Sequence, residues 1–506
     1  MSSSRRKYRL AIHNAFLIRP LHPPTTADIL VAHDGIIAFI GKAEDADLRN
    51  ADRLIDATDV WLIPGFVSSY SQLWQHGFLG RAPQSNVKEL SQVLYNETKD
   101  LSAEELYELT LQGATSHIRK GITTVFNFTY PSRSQDGRVD RAQFEGAMDA
   151  GIRLVHGFNV GKCSKEWTPS QALQRTKRFL SWATHFEARQ QYLSTRISLH
   201  GLEDHCDTTD TIEMESSITK KLNMSAHLNY LESPDRDDII REHNRWDWLV
   251  KFGLVDPRLT VSHFVQSWAP GSKIHKVGII HHLARKGVGM SWNPVSNARL
   301  GSGYATVELY KTIGLKRFGL GVDGEAKSGR CDPFEHMRLS VYLPRLHKPD
   351  LGEDFGPRDA FVLHTLGAAG LLNCDKIGTL TNGRFADMIL LKPPCDKSVP
   401  DPLAAMVFSS GVEDIVAVFV GGLEQLPQLT SAPSRVEGER WPMWTFPPED
   451  PPIEKKETPI FSRVSPSPSK KRRTKVEEKQ EGSMSTTKTW NLPGGMFHTF
   501  PARPFP

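Results

Sequence analysis

Hydrophobic and polar positions follow two different patterns along the chain, and the pattern changes at Pro64. Before Pro64, short apolar runs such as "YRLAIHNAFLI", "ADILVAHDGIIAFIG" and "DRLIDATDVWLI" are broken by Asp-Gly and Pro turn signals, which is typical of strands. Beyond it, short apolar runs alternate with longer segments of helical periodicity. This alternation predicts repeated βα units around a parallel sheet.

Eight apolar runs are candidate strands of that sheet, and helical segments separate them. The runs occupy residues 62–68, 122–128, 152–158, 196–201, 222–228, 259–264, 287–292 and 317–323. Eight such units predict a (β/α)8 barrel of TIM type, although a doubly wound open sheet would give similar periodicity. The pattern favours the barrel and leaves the open sheet as the alternative.

Strand signals also flank the predicted barrel on both sides. After the last helical segments, "FADMILLKPP" and "DIVAVFVGGL" return to the pattern seen near the start of the chain. We expect residues 1–63 and 371–425 to form one small composite β-sandwich beside a barrel of residues 64–370. Residues 426–506 are rich in Pro, Ser, Lys and Glu, and this composition predicts a disordered tail.

Composition and charge narrow the class of protein. The 506 residues include 62 basic and 58 acidic side chains, so the net charge of +4 predicts no strong attraction to nucleic acid. No run of eighteen apolar residues and no signal-peptide core occurs, and the five cysteines lack C-x-x-C spacing. We expect a cytoplasmic protein without nucleic-acid or membrane partners, with nuclear import through Lys470–Arg473 as an alternative and with a homo-oligomer left open.

Two motifs resemble those of a known enzyme family. "WNPVSNARLGSG" at residues 292–303 resembles H-N-P-x-S-N-x-x-L-x-S-G, and "GLGVDGEAKS" resembles L-G-T-D-G, both of the amidohydrolase superfamily in its chlorohydrolase and cytosine or guanine deaminase branch. The resemblance implies a divalent metal held by H-x-H after strand one, a His after strand five and an Asp after strand eight. It also implies a Glu and a second His for proton transfer. His227, His263 and Asp323 match the strand-five, strand-six and strand-eight positions.

Other positions depart from the family pattern. Tyr70 and Gln72 stand where H-x-H has its two histidines, Tyr230 replaces the Glu and Trp292 replaces the His of H-N-P. A neutral amide is a poor zinc ligand, and a catalytic zinc usually needs three protein ligands. We expect Glu232, two residues beyond Tyr230, to be a solvated loop carboxylate.

These departures predict a degenerate metal site. His227 and Asp323 remain as remnant ligands, so we expect either no cofactor or one weakly bound divalent metal, zinc or iron. Without the metal, the usual route to hydroxide near neutral pH is absent. An ordinary deaminase or dechlorinase reaction is therefore not expected.

The remaining side chains predict metal-free proton transfer on a small molecule. His263 and Asp323 are the expected acid–base pair, and Tyr70 and Tyr230 the expected donors to a carbonyl or enolate oxygen. Trp292 and Gln72 are expected to bind substrate. The predicted protein is thus a divergent enzyme acting on a ring or carbonyl-containing metabolite by isomerisation, dehydration or ring closure. Two alternatives stay open: a metal-dependent hydrolase or deaminase with a site rebuilt from His227, His263 and Asp323, and a non-catalytic binding or scaffold protein.

Overall fold

Two sheets contain the named strands of the structure, which is a computed structural model. It describes residues 6–130, 137–162, 168–187, 189–202, 206, 208–265, 276–347, 355–396 and 398–425. The predicted disordered tail at 426–506, with Lys470–Arg473, lies outside the described residues.

The N-terminal segment contributes five strands to the first sheet. They are β1 Tyr8–Arg19, β2 His22–Val31, β3 Ile37–Gly41, β4 Ala51–Asp56 and β5 Trp61–Pro64, and the short helix α1 Asp45–Arg49 lies between β3 and β4. β1 pairs antiparallel with β2 on one side and parallel with β4 and β5 on the other. Both faces of β1 are buried in part: Leu10 and Ile12 pack in one hydrophobic cluster, and Ala11 between them packs in another.

The second sheet contains eight parallel strands in the order of the sequence. They are β6 Phe66–Ser71, β7 Ile122–Asn127, β8 Arg153–Asn159, β9 Tyr192–Leu199, β10 Ala226–Tyr230, β11 Leu259–His263, β12 Gly289–Trp292 and β13 Phe318–Leu320. Two backbone N–H groups, of Val322 and Asp323, donate to the Tyr70 carbonyl at 3.0 Å, which joins the last strand to the first. The predicted (β/α)8 barrel is confirmed, and the open-sheet alternative is wrong.

The predicted first strand, residues 62–68, is divided between the two sheets. β5 ends at Pro64 and β6 begins at Phe66, so the apolar run changes sheet at Gly65. A Cβ at Gly65 would lie 2.2 Å from the Thr123 hydroxyl oxygen, and this close approach requires glycine. The chain thereby passes directly from the terminal sheet into the barrel.

Helices follow the barrel strands along the chain. They are α2 Val87–Thr98, α3 Ala103–Arg119, α4 Gly137–Ala150, α5 Pro169–Ala183, α6 Asp210–Lys221, α7 Arg236–Lys251, α8 Lys276–Lys286, α9 Pro294–Arg299, α10 Val307–Thr312, α11 Glu325–Ser328, α12 Pro333–His347, α13 Pro357–Val362 and α14 Ala368–Leu371. Asn86, Ser102 and Thr168 begin α2, α3 and α5 with reciprocal capping boxes. Within the described residues, no helix is both long enough and apolar enough to cross a membrane.

The end of the described chain returns to the first sheet. It forms β14 Met388–Leu391, helix α15 Pro402–Ser409, β15 Ile415–Val420 and β16 Leu423–Gln425. β14 pairs antiparallel with β5, so the sheet runs β16-β15-β14-β5-β1-β2-β3, with β4 beside β1. The expectation that both ends of the described chain build one β-structure beside the barrel is confirmed.

Candidate active site

Two predicted site residues, His263 and Asp323, lie at the carboxyl ends of barrel strands, and a third, His227, lies within a strand. His227 lies in β10, His263 is the last residue of β11, and Asp323 follows β13; all three side chains are fully buried. The backbone of His263 has φ +70° and that of Asp323 has φ +59°, values that are uncommon for residues other than glycine. Strained backbone of this kind concentrates at functional sites, and this end of a barrel is where enzymes build them.

His263 accepts hydrogen bonds on one ring nitrogen and faces a carboxylate with the other. Its Nδ1 lies 3.1 Å from the Asn297 amide nitrogen and 3.4 Å from that of Asn293, so the amides donate and Nε2 carries the proton of the neutral ring. Nε2 lies 3.5 Å from a carboxylate oxygen of Glu232. Burial lowers the pKa of His263 to about 3, although Asp323 opposes the shift. The imidazole is therefore neutral near pH 7.

Glu232 and Lys327 form a buried ion pair beside His263. The two carboxylate oxygens of Glu232 lie 3.3 and 3.4 Å from Lys327 Nζ, and both residues are buried. Burial opposes the charge of Lys327, but Glu232 and Asp323 outweigh it and raise the pKa of the amine above its usual range. The expectation of a solvated carboxylate at Glu232 is wrong. Leu231, at φ +53°, turns the chain after β10 and directs the next side chain inward.

Tyr70 lies in the interior of the barrel, close to both histidines. Its ring centre is 5.5 Å from that of His227 and 5.4 Å from that of His263. Gln72 is fully buried, and its amide nitrogen donates to the Tyr70 hydroxyl at 2.7 Å. Burial raises the pKa of Tyr70 well above its usual value, so the phenol stays neutral. The structure thus brings Tyr70 and Gln72 together with the predicted site.

His227 is held by an aromatic ring and a hydroxyl. Phe126 stacks on its imidazole at 4.3 Å between ring centres, with the planes 7° apart. His227 Nε2 lies 2.6 Å from the Ser262 hydroxyl. Burial, followed by the nearby charge of Arg196, lowers the pKa of His227 well below its usual value. This histidine is consequently a neutral, packed side chain.

Two of the predicted site residues, Tyr230 and Trp292, face away from His263 and Asp323. The Tyr230 hydroxyl donates to the backbone carbonyl of Glu242 in α7 at 3.1 Å, and its ring packs on Trp246. Trp292 is buried in the main hydrophobic core, whereas the Ser291 hydroxyl beside it lies 2.7 Å from that of Ser69 on β6. Because side chains alternate along a strand, Tyr230 and Trp292 point toward the helices. The structure does not bring either residue together with His263 and Asp323.

Several buried polar atoms near His263 have no hydrogen-bond partner among the described residues. Asp323 Oδ1 accepts from the Gly324 N–H at 2.8 Å, whereas no described residue bonds its Oδ2. The same holds for the side-chain oxygens of Asn293 and Asn297, whose amide nitrogens contact His263 Nδ1. Water or another polar molecule can satisfy buried atoms of this kind.

One small cavity touches the ion pair. It has a volume of about 10 Å³ and is lined in part by Trp74, Tyr130 and Lys327. A second cavity, of about 40 Å³, is lined by Trp74, Tyr130, His156 and Arg175 among others. Trp74 and Tyr130 line both cavities, and the sequence motifs had indicated neither residue.

The barrel, the terminal sheet and the site residues together define an amidohydrolase-type architecture. The model of the amidohydrolase family matches residues 61–424, and the chain belongs to that family. The chain is similar to a 5-methylthioadenosine/S-adenosylhomocysteine deaminase of Acetivibrio thermocellus, with 28% identity over 403 residues covering 77% of this chain and 86% of the relative. It is similar also to a 5′-deoxyadenosine deaminase of Methanothermobacter thermautotrophicus, with 25% identity, covering 74% and 83%.

Solved structures with the same fold include two zinc-containing enzymes. An adenosine deaminase of Xanthomonas campestris with bound zinc aligns with a TM-score of 0.69 and 19% identity, covering 83% of this chain and 93% of that one. The atrazine chlorohydrolase of Arthrobacter aurescens in complex with zinc aligns with a TM-score of 0.70 and 19% identity, covering 83% and 95%. Likeness at this identity extends to the fold alone.

Proposed function

We propose that this protein is a small-molecule enzyme of the amidohydrolase family that transfers protons through Glu232, His263, Asp323 and Lys327, without a zinc-activated water. The observation that carries the proposal is the buried group of Glu232, His263 and Asp323, whose polar atoms lie within 4.8 Å of one another, with the Lys327 ammonium paired to Glu232. Buried ionisable groups that converge at the carboxyl end of a barrel are the usual setting for acid–base chemistry.

The zinc that the family implies does not fit the side chains of this chain. Tyr70 and Gln72 stand at the two H-x-H positions, and the centre of the Tyr70 ring lies 5.5 Å from that of His227 and 5.4 Å from that of His263. His227 Nε2 is already bonded to the Ser262 hydroxyl. The ammonium of Lys327 lies beside Glu232, where it repels a second cation. The remaining ligand atoms therefore form a poor zinc centre.

The four groups can divide the work of proton transfer. Neutral His263 carries a proton on Nε2, while the free Oδ2 of Asp323 can accept one. The ammonium of Lys327 can stabilise negative charge that develops on a substrate oxygen in this buried site. Such a set suits isomerisation, dehydration or ring closure of a carbonyl-containing molecule. Imine formation is disfavoured because Lys327 remains protonated.

Substrate size and shape are inferred from the relatives and the cavities. Relatives named as deaminases of 5′-deoxyadenosine and of methylthioadenosine suggest a molecule with a nitrogen heterocycle. Trp74 and Tyr130 line the small cavity next to Lys327, and aromatic side chains of this kind can stack on such a ring. We therefore propose a small ring compound with a carbonyl group as the substrate class.

One observation favours a metal-dependent alternative. Glu232, His263 and Asp323 each offer a ligand atom, and these atoms lie within 4.8 Å of one another. A deaminase with a metal centre rebuilt on these three residues would use them as ligands. The dense packing of Tyr70 and Phe126 around His227 is what a non-catalytic scaffold would also display. Both alternatives make different predictions from ours in the experiment below.

The test is a substrate screen with the wild type and two variants. Purified protein is incubated with a library of nucleosides, purines and cyclic amides, with either zinc or EDTA, and products are followed by mass spectrometry. We expect an EDTA-resistant product that retains all its nitrogen and falls at least 100-fold in His263→Ala and in Asp323→Asn. Ammonia release that requires zinc would support the metal-dependent deaminase instead. Turnover unchanged in both variants would refute the assignment of these residues.

A further inference from the structure

The carboxylates at the mouth of the barrel already have a cationic partner inside the protein. Lys327 lies on the single-turn helix α11, four residues after Asp323, and its side chain is about 99% buried. Its Nζ is 3.3 and 3.4 Å from the two oxygens of Glu232. A lysine is seldom buried to this degree unless it is paired.

The same carboxylate belongs to the three-residue group with ligand atoms within 4.8 Å. A zinc ion bonded to Glu232 would lie about 2.2 Å from its oxygen, and hence no more than roughly 5.5 Å from Nζ. Two cations so close in a buried site repel each other strongly. The lysine or a metal ion can neutralise the carboxylates, but the repulsion between the two cations disfavours binding of both.

We infer that the ammonium of Lys327 takes the electrostatic place of the divalent cation at this site, so that the site excludes such a cation while Lys327 is present. Glu232 and Asp323 contribute two negative charges, the lysine contributes one positive charge, and His263 adds none. The ligand that this arrangement accepts is an oxygen anion or carbonyl group of a small molecule, which can approach the ammonium. The inference rests on the proposed metal-free function and adds the reason why the site binds no metal ion, which is the charge of Lys327.

The inference predicts that removing one side chain creates a metal site. In Lys327→Met, the ligand atoms of Glu232, His263 and Asp323 lose the neighbouring charge and gain space. Titration with zinc, followed by calorimetry on metal-stripped protein, should detect one site at least 100-fold tighter than any site in the wild type. Lys327→Arg, which keeps the charge, should behave as the wild type. Adding Glu232→Gln to Lys327→Met should abolish the increase in zinc affinity.

Two results would overturn the inference. One is a wild-type protein that binds one equivalent of zinc with submicromolar affinity and loses it in Asp323→Asn. The other is a Lys327→Met variant that is folded by circular dichroism and yet binds zinc no more tightly than the wild type. If Lys327→Met does not fold, Lys327→Gln, whose amide still donates to Glu232, takes its place. The zinc titrations need no substrate. Their outcome therefore tests the inference even if the substrate screen finds no product.

Discussion

The Nζ atom of Lys327 bridges both carboxylate oxygens of Glu232, at 3.3 and 3.4 Å, in the interior of the protein. A buried charge without its partner is far more costly than either the pair or a neutral replacement. The pair thus makes its two members interdependent, both for stability and for the charge of the site.

Removing one member of this pair should destabilise the protein more than removing both. We expect Glu232→Ala to lower the free energy of unfolding by about 3–5 kcal/mol because it leaves the Lys327 ammonium short of a counter-charge. The double variant Glu232→Ala, Lys327→Met should recover more than half of that loss. Urea unfolding of the wild type, the single variants and the double variant measures the coupling. If the loss in the double variant equals the sum of the losses in the two single variants, the two side chains do not interact and the ion pair is contradicted.

Tyr70 should be essential to the packing of the barrel interior. Tyr70→Ala leaves His227 and Phe126 beside a cavity, and we expect a loss of about 3–5 kcal/mol in the free energy of unfolding. Tyr70→Phe keeps the ring but leaves the buried amide of Gln72 without its acceptor, at a cost of about 1–3 kcal/mol. The same Tyr-to-Phe change at the half-exposed Tyr342 is the control. A fully stable Tyr70→Ala would show that the ring is not packed as described.

Buried histidines should make the fold sensitive to acid. Burial between Phe144 and Phe179 lowers the pKa of His156 to about 3, and burial lowers that of His364 to about 4. Both histidines stay neutral in the folded state below pH 6.5, while the unfolded chain takes up their protons. Their stabilisation is therefore complete above pH 6.5 and is lost as pH falls toward 4 and then 3.

The pH dependence can be assigned to one residue. Near pH 5, each such histidine contributes a slope of about 1.4 kcal/mol per pH unit to the free energy of unfolding. His156→Gln should reduce the slope by about that amount between pH 6 and pH 4, whatever its effect at neutral pH. The change His22→Gln, at an exposed position, should leave the slope as it is in the wild type. An unchanged slope in His156→Gln would mean that His156 already titrates as a solvated group.

Most of the architecture could be predicted from the sequence because barrel strands are marked by apolar runs with helical spacing between them. Each of the eight predicted runs overlaps an observed barrel strand, from β6 to β13. The first run was the least accurate. Its apolar character continues through Gly65, and only the close approach of Thr123 in the folded protein divides it between two sheets.

The site was predicted only in part because strand-end geometry decides where side chains point. His263 and Asp323 were found through the family motifs, and their burial follows from the barrel. The outward direction of Tyr230 could have been deduced, since His227 points inward three residues earlier and side chains alternate. The inward turn of Glu232 depends on the positive φ of Leu231, for which the sequence carries no signal. Lys327 lies in the run "GLGVDGEAKS", four residues after Asp323, where the sequence pattern did not indicate a site residue.

The metal content of the wild-type protein tests the central claim most directly. Protein purified from medium supplemented with zinc and iron is analysed by elemental mass spectrometry, with Asp323→Asn prepared in parallel. The account predicts less than about 0.1 equivalent of zinc, iron or manganese in both proteins, because Lys327 and Tyr70 leave no suitable ligand set. Close to one equivalent in the wild type, lost in Asp323→Asn, would contradict the metal-free account and establish a rebuilt metal centre.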